Sequence, residues 1–110
     1  MISVTITRRA DGRIAAFAVE GHSNYAKSGR DIVCAGVSAI TVGTVNSIEA
    51  LTGVELPASM KDGWLQSDIP QLGDEAAEAK LQLLLESMVV MLDGIRESYG
   101  KYIDIQEQIV

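Results

Sequence analysis

The chain carries one histidine, His22, and one cysteine, Cys34, within Gly21-His22-Ser23-Asn24-Tyr25-Ala26-Lys27-Ser28-Gly29-Arg30-Asp31-Ile32-Val33-Cys34-Ala35-Gly36-Val37-Ser38. A thiol becomes a strong nucleophile when a base takes its proton, and an imidazole is the usual base near neutral pH. The chemistry on offer is attack by the Cys34 sulfur on a carbonyl carbon, with His22 as its proton acceptor. Spacing alone leaves a plainer reading open, with a small buried hydrophobe at 34 and a structural or solvated imidazole at 22. One histidine and one cysteine are too few ligands for a closed zinc site. Neither GxxxxGK[ST] nor GxGxxG occurs, so we expect no metal and no cofactor.

The flanking residues predict the elements that must position this pair. Ile2, Val4 and Ile6 alternate with Ser3, Thr5 and Thr7, a strand with one buried face. Asp11-Gly12 predicts a hairpin turn, and a second strand runs from Ile14 to near Gly21. Residues 22–31 have no period and read as a polar loop that could move. Asp31 can cap a helix from Ile32 to about Thr52, with Gly53 as its stop. That helix is apolar nearly all round, which predicts burial on most sides.

Cys34 then falls in the first turn of the helix, where unpaired N–H groups favour an anion. Those amides could also hold the oxyanion formed when the sulfur attacks a carbonyl. Asp31 could orient the imidazole as a third member or serve only as the cap. Ser38, four residues on, could orient the thiol or the substrate, or bond back to the helix carbonyl at 34.

Further along, a hairpin is expected around residues 54–60 and 63–69, turning at Asp62-Gly63. Asp74 can cap a long helix from Glu75 to about Tyr99, and Tyr102 to Gln106 alternates as a last strand. Leu83, Leu85, Val89 and Val90 widen the apolar stripe of this helix, through a broad core face or a homodimer contact. The order β-β-α-β-β-α-β predicts one α+β domain over residues 1–110, a mainly antiparallel sheet packed by two helices.

With 110 residues and 47% hydrophobic content, the chain can build one core. A net charge of −6 argues against a nucleic-acid surface. The charge is uneven, since residues 1–30 hold five basic and two acidic side chains, and residues 31–110 four and thirteen. The acidic part could attract a basic partner such as a ribosomal protein. A single cysteine forms no internal disulfide, which suits a reducing compartment. The polar residues within Ile32–Leu51 argue against a membrane span, and a cytoplasmic location is expected.

Gly21-His22, Tyr25-Ala26, Gly29, Asp31-Ile32-Val33-Cys34-Ala35 and Val37-Ser38 together resemble the signature of the bacterial ribosomal-processing cysteine protease family, Prp. The resemblance extends through the opening strand, the small-residue helix, the acidic start of the second helix and Tyr102-Ile103. It implies a homodimeric cytoplasmic endopeptidase that removes a short N-terminal extension from the large-subunit ribosomal protein numbered twenty-seven. Cleavage would follow hydrophobic, often aromatic, residues. The same resemblance implies Cys34 as nucleophile and His22 as general base, with Gly21, Asp31 and Ser38 in support. It makes Ser23, Asn24, Tyr25, Ala26, Lys27, Ser28, Gly29 and Arg30 a loop that orders over bound peptide. Ser23 and Gly36 stand where the family more often has alanine. Two rivals remain at this stage: a non-catalytic acidic module that binds a basic ribosomal protein, and a thiol redox sensor.

Overall fold

Ile2, Val4 and Ile6 of β1 (Ile2–Arg8) all turn to one face and are buried, as their alternation requires. The computed structural model describes residues 1–27 and 31–110. The expected roles of Ser28, Gly29 and Arg30 lie outside the described residues. After β1 come β2 (Ile14–Glu20), α1 (Ile32–Thr52), β3 (Ser59–Lys61), β4 (Trp64–Asp68), α2 (Glu75–Tyr99) and β5 (Ile103–Ile109). This is the expected order.

The five strands form one sheet in the order β3-β4-β2-β1-β5. Three neighbouring pairs are antiparallel and one, β1 with β5, is parallel. In β2 the pairing register shifts between Thr7 and Arg8 of β1, which leaves Ala15 without a partner. Ile14 and Phe17, three residues apart, therefore both reach the core. Phe17 lies opposite Ile6, and truncating such a buried ring costs about 3–5 kcal/mol.

Both helices contribute to the same core, through Val33, Val37 and Ile48 of α1 and Leu81, Leu85, Met88 and Leu92 of α2. The expectation that α1 is buried on most sides is not met. Its buried residues, Val33, Val37, Thr41, Thr44 and Ile48, form one stripe, and Ile32 and Leu51 are exposed. Ile40, Val42 and Val45 are only partly buried at its margins, and alanines such as Ala35, Ala39 and Ala50 face solvent. Gly36 sits where a Cβ would stand 3.0 Å from the end of Ile95, so this glycine serves close packing of α1 on α2.

The hairpin strand expected from residue 54 starts later. Thr52 Oγ1 accepts from Val54 N–H at 3.1 Å, and Ala58 N–H donates to Leu56 O at 2.7 Å. Pro57 has no N–H for a ladder. Only Ser59–Lys61 pair with β4.

Candidate active site

His22 follows directly from the end of β2. Gly21, with φ +93°, turns the chain there, and a Cβ on it would stand 2.5 Å from the Met1 carbonyl oxygen. A side chain at 21 is excluded by both the backbone conformation and that contact. Gly21 N–H donates to Gly63 O at 2.8 Å, which ties the strand end to the β3–β4 turn.

Asp31 uses both carboxylate oxygens. Oδ1 accepts from Val33 N–H and Cys34 N–H, each at 3.0 Å, and so caps α1. Oδ2 accepts from the Ser23 hydroxyl, from Tyr25 N–H at 3.0 Å and from Ala26 N–H at 3.5 Å. One side chain thus starts the helix and fastens the loop to it. Desolvation works to raise the Asp31 pKa, but the hydrogen bonds from Ser23, Cys34, Ala26 and Tyr25 outweigh it and hold the carboxyl down at about 2. Among the described residues no hydrogen bond joins Asp31 to His22.

Cys34 is half-buried in the first turn of α1, as expected. Ser23, only 3% exposed, grips its sulfur twice: the Ser23 N–H donates to Sγ at 3.3 Å, and the hydroxyl lies 3.3 Å from Sγ. The hydroxyl also meets Asp31, so it stands between the carboxylate and the sulfur.

The helix amides expected to be free are committed. Val33 and Cys34 N–H go to Asp31 Oδ1, and Ala35 N–H to Asp31 O at 3.0 Å. An oxyanion would have to compete with the Asp31 cap for them.

His22, Cys34 and Ser38 line one cleft of about 640 Å³, together with Asn24 and Ala26 of the loop. The imidazole and the thiol both open into this recess. No hydrogen bond joins His22 to Cys34 among the described residues. Ser38 is exposed, and no bond from its hydroxyl to the carbonyl of Cys34 occurs among them. Tyr25 packs edge-on against Tyr99 and Tyr102, with ring centroids 5.7 and 5.1 Å apart. This anchors the described part of the loop on the α2–β5 corner.

The far wall is the β3–β4 hairpin, with Met60, Lys61, Gly63 and Trp64. The sequence signals the turn through Asp62-Gly63, but gives no sign that it faces the histidine. That follows from β4 lying beside β2, with Trp64 opposite Glu20. Among the described residues no group of acidic, histidine and cysteine side chains could hold a metal ion.

Residues 1–104 match the family described as cysteine protease Prp. The ribosomal processing cysteine protease Prp of Bacillus subtilis (strain 168) is 38% identical over the full length of both chains. A crystal structure of an essential ribosomal processing protease Prp from S. aureus, in complex with a covalently linked product peptide, superposes with a TM-score of 0.88 at 33% identity. It covers 98% of this chain and 100% of that one. A second S. aureus structure, with a substrate peptide, gives a TM-score of 0.83 at 31% identity, over 98% of this chain and 100% of that one. The two non-catalytic readings give way: the chain belongs to the Prp family and is a cysteine protease.

Proposed function

We propose that this protease removes a short N-terminal extension from the large-subunit ribosomal protein numbered twenty-seven, with Cys34 as nucleophile and His22 as general base. The observation that carries the reading is the shared cleft: the only imidazole and the only thiol of the chain open into the same recess. His22 takes the proton from Cys34 Sγ, and the sulfur attacks the scissile carbonyl carbon. His22 then returns the proton to the leaving amine, and water hydrolyses the thioester. The missing His22–Cys34 hydrogen bond suits a free enzyme whose pair closes only around a peptide.

Support for the ribosomal role comes from the relatives, which bear the name ribosomal processing cysteine protease. Support for a hydrophobic residue before the cut comes from Val19, Met60, Trp64 and Leu65, which give the cleft an apolar wall. Residues 23–27 would lie along the bound chain, and Asp31 and Ser38 would serve as supports. Leu83, Val90 and Met91 form an exposed apolar patch on α2 that fits a second copy of the chain. The work would be done in the cytoplasm, without metal or cofactor.

Incubating the protein with the extended ribosomal protein and weighing the products tests this reading. One cut behind a hydrophobic residue, lost in Cys34→Ala, is expected. An intact substrate with the wild-type protein, or equal cleavage by Cys34→Ala, would overturn it.

A further inference from the structure

The β3–β4 turn touches the imidazole itself. A Cβ built on Gly63 would stand 2.7 Å from His22 Nε2, 3.0 Å from Cε1 and 3.4 Å from Cδ2. Side chains do not approach so closely, so no residue but glycine fits while His22 keeps this position. An atom arriving along the Nε2 lone pair would be much farther from Cε1 than from Nε2. The near-equal distances place the contact on the ring face instead. Gly63 therefore supports the ring from one side and leaves the in-plane direction of Nε2, along which a proton moves, unobstructed by this contact.

The same residue holds the backbone that delivers the histidine, since its carbonyl accepts from Gly21 N–H at 2.8 Å. Gly63 has φ +71°, a conformation that glycine adopts without strain. Asp11-Gly12 provides an internal control. Gly12 also lies in an Asp-Gly hairpin turn with φ +91°, but a Cβ there would meet nothing within 4 Å. Only the second turn has a ring lying on it.

We propose that Gly63 is a positioning residue for His22: its bare Cα is the seat of the imidazole, and its carbonyl fixes the strand end from which His22 projects. The proposal rests on His22 being the general base. Misplacing a base lowers the rate of the chemical step, which kcat reads.

Gly63→Asn and Gly12→Asn test it, since asparagine tolerates positive φ but carries a Cβ. Each is assayed for cleavage of an extended substrate peptide, with the His22 Cε1–H signal followed by NMR as the only histidine resonance. Gly63→Asn should lower kcat about tenfold or more and should shift the His22 signal. Gly12→Asn should stay within about twofold of wild type and leave that signal in place. Full kcat with an unmoved signal in Gly63→Asn would overturn the proposal. Should Gly63→Asn fail to fold, wild-type protein decides. A cross-relaxation peak between Gly63 Hα and His22 Hε1 is expected, and its absence overturns the seat. His22→Ala in the same assay keeps the two claims apart. Full activity there refutes the base, whereas an inactive His22→Ala beside an unaffected Gly63→Asn refutes only the seat.

Discussion

The two helices begin alike and differ in what fills their first turns. Each is capped by an aspartate in extended conformation, Asp31 for α1 and Asp74 for α2. The N-terminal end of a helix favours negative charge in both cases. In α2 its own acids occupy that end. The Asp74 side chain accepts from Ala76 N–H at 2.9 Å, and Glu75 and Glu78 lie in the first turn. Glu78 is buried: its Oε2 accepts from Leu72 N–H at 2.9 Å, and its Oε1 lies 3.7 Å from Arg9 and 3.9 Å from Arg13. That end of α2 is held by fixed carboxylates and is structural. The first turn of α1 holds no acidic residue and places Cys34 beside a cleft. Its aspartate caps with one oxygen and binds the loop with the other. The same physical preference serves folding at one end and chemistry at the other, according to whether a fixed carboxylate or an ionisable sulfur occupies it.

The largest effect should separate these two ends completely. Cys34→Ala should lower cleavage by at least about a thousandfold while leaving the fold intact, because only the nucleophile is lost. Its counterpart, Glu78→Ala, should leave activity per folded molecule unchanged and cost about 1–3 kcal/mol, because Leu72 N–H loses its acceptor. Urea unfolding and peptide cleavage, measured on both variants, check this. A loss of activity in folded Glu78→Ala would break the distinction.

The caps come next. Asp31→Ala should lose cleavage about tenfold to a hundredfold, since helix start, loop and Ser23 all come loose together. Asp74→Ala should cost about 1 kcal/mol of stability with no change in kcat/KM. Thermal melts and peptide kinetics on the pair decide it.

Acid sharpens the same point. The Asp31 carboxyl is held at about 2 in the folded chain against an ordinary 3.8. Its contribution to stability is therefore complete above the ordinary value and is lost only as pH falls through about 2. Cleavage should fall in acid before tyrosine fluorescence from the Tyr25–Tyr99–Tyr102 cluster, which stays native down to about pH 4 because Asp31 remains ionised there. Loss of both signals together would show that the loop, and not the base, sets the acid limb. The smallest effect belongs to Ser23→Ala, which keeps the N–H on Sγ and should change kcat/KM by less than about tenfold in steady-state assays.

Much of this was legible in the residues. Asp31, Gly53 and Asp74 mark the helix ends where they fall, because capping is a local hydrogen-bond matter. Cys34 and His22 could be singled out as the only residues of their kinds. The β3–β4 wall could not be foreseen, because Gly63 meets His22 only once β4 pairs with β2, and that pairing is set by the whole sheet. The parallel match of Ile2 with Ile103 and Val4 with Ile105 is non-local for the same reason. Burial of α1 is less than its composition predicts because alanines such as Ala35, Ala39 and Ala50 suit a helix surface as well as a core. That Asp31 takes both Val33 and Cys34 N–H was not legible, because a sequence shows the cap without showing how many donors it holds.

The central claim is that the Cys34 sulfur loses its proton to His22, and the rate of Cys34 alkylation against pH tests it most directly. The wild-type protein should react between pH 6 and 7 faster than a model thiol, and His22→Gln should remove that advantage. A thiol no faster than the model compound, or one equally fast without the imidazole, would contradict it.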